Sequence, residues 1–494
     1  MKKIFSARKI ILTVTTGFCI VAGAQDKTIE LKFKEKHRYT SHDFTENGMT
    51  FLTTVNDKSS KVDLNVLSFD SDFNANFSKN LESKYKGLPA FFGRGMSDRQ
   101  VYYSMLPTLN GLYAISFTDE QIFDAKGNAR KFDIDKLDDS EKFDTKFRVY
   151  NDKYACFFGY KKEDNKKNKV SDETYFYKVN LDDLSKNLIE IKFPAFPTII
   201  KGEKIKKKGD ETKDTWEIAS HDNNQFLMIN KRWSEDHTED QYNIVSFDYD
   251  GKVLSTMSIP LQLKNKYFAL SDTGFGSKTF IQSDMVGVGL MSGSATGNIY
   301  VEDNKEFFYI YGLYSNNKIS NINKVEYNGF YINKFNAKGE LIWKTEKAIV
   351  DKDGLNKTQR PIAVTVDFVL LKDNKIGLSM SSFFEKYMQM SLVDSQDGKI
   401  LKNQKQEIKI EGNRLEGISG SAFPTGYALD DIYQKKHMDR WAVFAGFLNP
   451  KVDKFLKTAS KIDLNYNCKI TPNGIYMIEE NYKDKTFKLL KFDF

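Results

Sequence analysis

The sequence contains few of the residues from which reactive sites are commonly built. It has 3 Cys, 5 His and 4 Trp among 494 residues, and only 9 Pro. Phe and Tyr, by contrast, number 39 and 25. Aromatic residues favour pleated, half-buried strands, and scarce proline leaves strands uninterrupted, so the composition predicts an all-β protein. A chain of this length must either divide into domains or repeat a smaller unit.

The first 24 residues have the pattern of a signal peptide. A basic start is followed by an apolar run over 10–21 and by Ala22 and Ala24, the small residues that a signal peptidase recognises. We therefore expect cleavage after Ala24, and a protein that is periplasmic, secreted or associated with the outer membrane. An uncleaved anchor would need roughly 20 apolar residues, and acylation at Cys19 would need a small residue in place of Phe18.

The charge of the mature chain argues against nucleic acid as a partner. Four of the seven surplus positive charges lie in the predicted signal peptide, which leaves +3. Short basic runs at 161–169 and 204–209 are typical of solvated loops. Export also places the remaining Cys156 and Cys468 in an oxidising compartment. Because they fall in different repeats, we expect two buried thiols and no disulfide, and neither has metal-ligand spacing around it.

One short phrase recurs along the chain and predicts its architecture. FDYDGK at 247–252 reappears as FDAKGN at 123–128, FNAKGE at 335–340 and VDSQDGK at 393–399. Alternating residues precede each phrase, and a second strand-like run follows it, so each phrase is predicted to be the bend of a β-hairpin in which Gly supplies the positive φ. The bends are marked by Asp70, Asp124, Asp182, Asp248, Asn336 and Asp394.

The unit around each bend resembles a blade of a β-propeller. It consists of four predicted strands, and its spacing is somewhat longer than the roughly 40–50 residues usual for such repeats. Counting the predicted hairpins, with one split between the two chain ends, gives seven four-stranded blades, with six or eight as alternatives, in a single domain over 25–494 with an insertion around 262–300. The resemblance identifies no specific propeller family. The stretch 439–450, DRWAVFAGFLNP, is expected to be a strand of a blade or of an insertion.

The two chain ends are predicted to share the last blade. TFKLLKFDF at 486–494 stops where the other units turn into their fourth strand, and KTIELKF at 27–33 has the length and alternation to supply it. This resembles the strand exchange that closes propeller rings. The C-terminal stretch 472–492 is also similar to the closing hairpin of type IX sorting domains, although the upstream motifs of that domain are absent.

No stretch of the sequence fits a catalytic or nucleotide-binding motif. GISGS at 417–421 lacks the last Gly of a nucleophile elbow and is expected to be a turn. GVGLMSGSATG at 287–297 is neither a dinucleotide nor a Walker loop. Acids near the predicted inner strands, Glu217, Asp222 and Asp284, could face a cleft across which two carboxylates cleave a glycoside.

The candidate metal sites are incomplete, and we expect neither a metal nor a cofactor. FDSDFN at 69–74 spaces its oxygen ligands as calcium loops do, but Ala75 stands where such a loop needs Gly. We expect it to be a turn. His37 and His42, with Asp43, could hold zinc only if further ligands joined them.

Trp233 is the candidate ligand-binding residue. It lies in the polar stretch NKRWSEDH, whereas Trp216, Trp343 and Trp441 are expected to pack between blades.

Three functional hypotheses remain open from the sequence. The first is an exported, non-enzymatic propeller that binds a protein or glycan at the cell envelope. The second is an accessory subunit of an outer-membrane or secretion assembly, docked through the 262–300 insertion. The third is a hydrolase or lyase acting on polysaccharide or peptide at the ring centre. Enzymatic activity is therefore left uncertain, and the scarcity of reactive residues disfavours it.

Overall fold

A computed structural model provides the structure of this chain, and it describes twenty-seven segments. These are 27–32, 37–45, 48–55, 61–86, 103–108, 111–116, 120–124, 129–132, 143–150, 153–162, 170–180, 182–183, 185–197, 216–234, 236–269, 271–273, 294–295, 298–302, 304–319, 326–349, 364–382, 387–407, 427–429, 436–438, 440–458, 465–481 and 486–494. These residues are mostly β-strand, as the composition predicts, and they form seven sheets in which nearly all pairings are antiparallel. We number the sheets in chain order.

The chain divides into two compact units, and the first contains the first and seventh sheets. The first sheet has the order β2 (His37–Thr45), β3 (Gly48–Val55), β4 (Lys61–Asp70), β5 (Ala75–Lys86). The seventh has the order β1 (Lys27–Lys32), β33 (Thr486–Asp493), β32 (Gly474–Asn481), β31 (Asn465–Thr471), β30 (Lys436–Met438), β29 (Tyr427–Leu429). Two helices, α1 (Arg440–Leu448) and α2 (Pro450–Thr458), connect β30 to β31.

The second unit contains the five remaining sheets. The second, third and fourth sheets are simple meanders: β6 (Tyr103–Thr108), β7 (Gly111–Ser116), β8 (Glu120–Asp124), β9 (Ala129–Phe132); β10 (Phe143–Tyr150), β11 (Tyr154–Lys162), β12 (Val170–Asn180), β13 (Lys186–Ile191); β14 (Trp216–His221), β15 (Gln225–Trp233), β16 (Glu239–Asp248), β17 (Val253–Gln262).

Strands of the fifth and sixth sheets alternate in the stretch that follows β17. The fifth comprises β18 (Tyr267–Ala269), β21 (Asn298–Val301), β22 (Phe307–Ser315), β23 (Gly329–Asn336), β24 (Leu341–Ala348). The sixth comprises β20 (Ser294–Ala295), β19 (Ser271–Thr273), β25 (Val364–Leu371), β26 (Lys375–Ser382), β27 (Tyr387–Asp394), β28 (Ile400–Glu407). The described parts of 262–300 thus add short strands to both sheets, and β19 runs parallel to β25.

The sheets bury one another, and the middle strands are covered on both faces. Separate apolar cores join the third to the fourth, the fourth to the fifth, the fifth to the sixth and the seventh to the first sheet. Burial on both faces explains why β22 is apolar or aromatic almost throughout and why β23 is buried almost throughout, whereas β17 and β24 end their sheets and are largely exposed.

The predicted sharing of the last sheet by the two chain ends is confirmed as a strand pairing. β1 is antiparallel to β33, with Lys27 opposite Lys491 and Lys32 opposite Thr486. Ile29 and Leu31 of β1 are buried and enter the core between the seventh and first sheets.

The recurring phrase forms the turn from the third to the fourth strand. Asp248 ends β16, and its Oδ1 accepts hydrogen bonds from the backbone N–H groups of Asp250 and Lys252, both at 2.9 Å. The N–H of Gly251, at φ +79°, donates to the Asp248 carbonyl at 3.1 Å. The same turn is built on Asn336 and on Asp70, where Phe73 (φ 62°) stands in place of Gly. The turn on Asp394 is one residue longer: the Asp394 Oδ1 accepts from the Gln396 N–H, and the Gly398 N–H donates to the Asp394 carbonyl.

One of the predicted bend markers is wrong. Asn180, not Asp182, ends the third strand of the third sheet, because the Asn180 Oδ1 accepts from the Asp182 N–H at 2.9 Å and its own N–H donates to the Ser185 carbonyl. The amide of Asn supplies the same acceptor as the carboxylate of Asp, so both residue types fit the position.

The turn is also a joint between consecutive sheets. In three cases a lysine two residues before the bend reaches the turn of the sheet that packs against its own. Lys178 contacts Asp250 at 2.6 Å, Lys334 donates to the Ser395 carbonyl at 3.0 Å, and Lys491 lies 3.7 Å from Asp72. The repeated phrase therefore serves the stacking of the sheets.

The stretch DRWAVFAGFLNP is a helix, so its prediction as a strand is wrong. α1 is buried on every side from Ala442 to Phe447, as a helix that is apolar all round must be. Asn449 then ends α1 and caps α2, since its Oδ1 accepts from the Lys451 N–H at 2.9 Å. Pro450 occupies the first position of α2, where its missing N–H costs no hydrogen bond.

Candidate functional site

Trp233 is exposed at the end of a strand. It is the last residue of β15, lies opposite Asp240 of β16, and has 41% of its surface accessible. Trp343 is buried, as predicted, and its Nε1 donates to the Ser395 carbonyl at 3.1 Å. Trp216 is half-buried and stacks on Phe193 with ring centroids 4.2 Å apart. Trp233 thus has the exposure that its sequence context predicts.

The turn after Trp233 is held by a dense set of hydrogen bonds. The Ser234 Oγ accepts from the N–H groups of Thr238 and Glu239, both at 3.0 Å, and donates to the Asp236 Oδ1 at 2.6 Å. The same Asp236 oxygen accepts from the Thr238 hydroxyl at 2.8 Å. These bonds to Ser234 and Thr238 lower the pKa of Asp236. Trp233 is therefore followed directly by residues that mutual hydrogen bonds hold in place, Ser234, Asp236 and Thr238.

His237 fixes this turn to the fifth sheet. Its backbone has φ 59°, and its carbonyl accepts from the Phe268 N–H at 2.7 Å. The imidazole is buried, and its Nδ1 has no hydrogen-bond partner among the residues that the structure describes. Burial lowers the pKa of His237, although Asp236 opposes the effect. The folded turn therefore favours the neutral imidazole.

β16, the strand that pairs with the strand of Trp233, has two buried polar residues near the fifth sheet. Asp240 and Tyr242 of β16 are almost fully buried. Burial raises the pKa of Tyr331 on β23, with Tyr242 and Asp240 as contributing neighbours. Tyr242 and Tyr331 belong to the core between the fourth and fifth sheets, whereas Trp233 is exposed.

We expect the turn to weaken in acid because of His237. A group whose folded pKa is lowered stabilises the protein above its unfolded pKa, about 6.5 for His, and loses that contribution as the pH falls below this value. Unfolding monitored between pH 7.5 and 5 should show falling stability. His237→Asn, which tolerates the left-handed backbone, should flatten this dependence; an unchanged slope in the variant would contradict the assignment.

Of the three acids considered for a glycoside-cleaving cleft, only Asp222 has its side chain among the described residues. Asp222 lies in the β14–β15 turn, where it accepts from the N–H groups of Asn224 and Gln225 and forms an ion pair with Lys305 of the fifth sheet. Glu217 is on β14, with its side chain outside the described residues, and Asp284 lies outside them entirely. Asp222 therefore has a structural role between two sheets.

The candidate metal sites have different outcomes. FDSDFN is a turn, as predicted, with the Asp70 carboxylate accepting hydrogen bonds from its own turn. His37, His42 and Asp43 are on β2, and their side chains are outside the described residues. Among the described side chains, no cluster of three or more His, Cys, Asp or Glu could hold a metal ion.

The predicted thiols lie within the described segments, whereas most of the glycine-rich stretches and the predicted signal peptide lie outside them. Cys156 and Cys468 are buried thiols and form no disulfide, as predicted. GISGS at 417–421 and most of 287–297 fall outside the described residues, as do residues 1–26. In the described part of the chain, no helix has the length and apolar character needed to span a membrane.

Sequence reasoning missed the residues that order the turn. Ser234, Asp236 and Thr238 alternate immediately after Trp233, and such spacing of short polar side chains is typical of turns closed by side-chain acceptors. The left-handed His237 between Asp236 and Thr238 has no sequence signal of its own.

Comparison with known proteins gives only remote likenesses. No protein-family model and no curated protein matches the chain. A solved acylaminoacyl peptidase of Pyrococcus horikoshii is similar at 11% identity and TM-score 0.37, covering 92% of this chain and 51% of its own. A prolyl endopeptidase aligns at 9% identity and TM-score 0.36, over 76% of this chain and 44% of its own.

A third solved structure, a cobalt-substituted apocarotenoid oxygenase of Synechocystis, aligns at 8% identity and TM-score 0.27, over 74% of this chain and 61% of its own. This chain therefore spans less than two thirds of each of the three proteins. With TM-scores this low, the likenesses assign neither a fold nor an activity to the chain.

Proposed function

We propose that this chain is an exported seven-bladed β-propeller that binds a protein or glycan at the cell envelope through the surface around Trp233. The observation that carries the binding role is a single one: Trp233 is a large, exposed aromatic side chain adjoining a turn that hydrogen bonds hold in place. A rigid aromatic group buries much surface on binding and loses little conformational entropy.

The propeller is supported by the repeated joints between sheets. The third, fourth and fifth sheets each pack onto the next sheet, and the seventh packs onto the first in the same way. Lys491 contacts the turn of the first sheet much as Lys178 contacts that of the fourth. A series of like joints whose last member adjoins its first is what a ring of blades requires.

Trp233 and the adjoining turn could contact two kinds of ligand group. The indole face of Trp233 can stack on a sugar ring or an apolar side chain, and the acidic turn that follows it can accept hydrogen bonds from hydroxyl or amide donors. Location in the periplasm or on the cell surface follows from the predicted signal peptide and belongs to the same proposal.

The test is a binding screen on the mature protein with matched variants. An array of bacterial envelope glycans and a solubilised envelope extract serve as probes for the two partner classes. Trp233→Ala should weaken the binding detected by about tenfold or more, as removal of an aromatic anchor does. Trp233→Phe should retain part of it.

Phe494→Ala is the control, because Phe494 is 42% exposed on the other unit of the chain. It should leave binding unchanged. If both Trp233 variants bind every probe as tightly as the intact protein, Trp233 has no part in recognition.

A further inference from the structure

A second exposed surface, distinct from Trp233, recurs at the start of the fourth strands. The surface consists of Leu254 in the fourth sheet, Ile342 in the fifth and Leu401 in the sixth. Each of the three residues is 45–50% exposed. Each follows the repeated turn by the same interval, in the segments GKVL, GELI and GKIL. Exposed apolar residues that recur in register are a feature of binding surfaces.

Each of these residues is the extra residue of a β-bulge. Phe247 pairs with Val253 and Ser246 with Ser255, so Leu254 has no opposite residue on β16. The same shift leaves out Ile342 between the pairs of β23 and β24, and Leu401 between those of β27 and β28. A bulge turns its residue away from the regular ladder, which explains the exposure.

The fold does not require an apolar residue at this position. The first sheet has the same bulge after the same turn, and there the extra residue is the exposed Asn76. In the third sheet the fourth strand begins with the exposed pair Lys186 and Asn187. Leucine or isoleucine in three consecutive sheets is therefore not explained by folding.

The three bulges lie along one side of the stack. Gly339 of the fifth sheet approaches Met257 of β17, and Gly398 of the sixth approaches Trp343 of β24, so each turn packs a few residues beyond the preceding bulge. Sheets that pack face to face are about 10 Å apart, which spaces the three side chains over about 20 Å. They form three separate apolar protrusions.

The charged residues immediately beside the protrusions are mostly lysines. Lys252, Lys338, Lys344, Lys399 and Lys402 are all exposed on the same turns and strand starts. Within two residues of the three protrusions there are four lysines, Lys252, Lys344, Lys399 and Lys402, and one carboxylate, Glu340. Among the acids of the preceding turns, Asp250 is paired with Lys178 at 2.6 Å, and Asp248 and Asp394 accept hydrogen bonds from their own turns. An apolar side chain flanked by lysines fits an anionic bilayer, in which lysines meet the headgroups and the apolar group enters the acyl boundary.

We infer that the bulge residues Leu254, Ile342 and Leu401, with their flanking lysines, attach the protein to the surface of an anionic phospholipid bilayer. A second copy of the chain fits this surface less well. Edge-to-edge strand pairing is broken by the bulges at this end, and two copies would bring lysines against lysines.

The test is flotation of the mature protein with vesicles of phosphatidylcholine, with and without phosphatidylglycerol. The intact protein should float with the anionic vesicles and be released by high salt. The triple variant Leu254→Asn, Ile342→Asn, Leu401→Asn, which copies the bulge of the first sheet, should partition at least roughly a hundredfold less, given the apolar surface lost.

Two controls make the outcome decisive. Trp233→Ala should float as well as the intact protein, which separates this surface from the proposed ligand site. Lys252→Glu with Lys399→Glu, both at exposed positions, should also abolish flotation without altering the apolar residues. Failure of the intact protein to float, undiminished flotation of the triple variant, or conversion of an oligomer to a monomer by that variant would each overturn the inference.

Discussion

Replacing Leu31 with alanine is expected to lower the free energy of unfolding by about 3 kcal/mol. Leu31 is 1% exposed on β1, opposite Phe487, and belongs to the core between the seventh and first sheets. Its truncation leaves a cavity in this core, in addition to the lost burial of the side chain. Chemical denaturation followed by circular dichroism measures the difference.

The control for this prediction lies on the same strand. Thr28 is exposed and pairs with Leu490, so Thr28→Ala should change the stability by no more than about 0.5 kcal/mol. Equal midpoints for the two variants would mean that β1 does not contribute a packed strand to the seventh sheet, and the closure of the last sheet by the chain's start would be lost with it.

Replacing Gly398 with alanine is expected to lower the free energy of unfolding by about 3 kcal/mol. The residue has φ +76°, a conformation that costs an L-residue about 1–2 kcal/mol. An added Cβ would also lie 2.7 Å from Trp343 Cε3 and 2.5 Å from Thr345 Oγ1, so the joint between the fifth and sixth sheets must open. Overpacking of this kind costs about 1–3 kcal/mol.

Gly339 separates the backbone cost of the positive φ from the cost of overpacking. Its φ of +79° imposes the same backbone cost, but its nearest neighbour is the flexible side chain of Met257, with Cγ at 3.1 Å. Gly339→Ala should therefore cost only about 1–2 kcal/mol. A Gly398 variant no less stable than the Gly339 variant would show that the turn is not a tight joint between sheets.

The turns and the shared last sheet were predictable because their residues interact locally. The Asp or Asn side chain closes its own turn, Gly supplies the positive φ, and strand alternation flanks both. Even the β1–β33 pairing followed from a local observation, the missing fourth strand after Phe492 and Asp493. The error at Asp182 arose because Asn180 can close the same turn.

Other elements depended on tertiary contacts that the sequence does not display. The run from Trp441 to Leu448 is apolar and short, and such a run fits a buried strand as well as a helix until Asn449 and Pro450 are recognised as a helix boundary. The parallel addition of β19 to β25 joins segments about 90 residues apart in sequence, for which no local pattern exists.

The candidate site was predictable in one residue only. Trp233 stood out because charged and polar residues flank it, and its exposure is confirmed. The ordering of the turn by Ser234 and the link from His237 to Phe268 needed the structure, because they depend on side-chain direction and on a neighbouring sheet. The ligand-binding role of Trp233 stays a prediction.

The ring of seven blades is the claim on which the proposed function rests, and small-angle X-ray scattering of the mature protein tests it most directly. A single closed propeller of this length should have a radius of gyration of about 23 Å and a distance distribution with one peak. A radius well above this value, with a second peak from two separated bodies, would show that the sheets do not close into one ring.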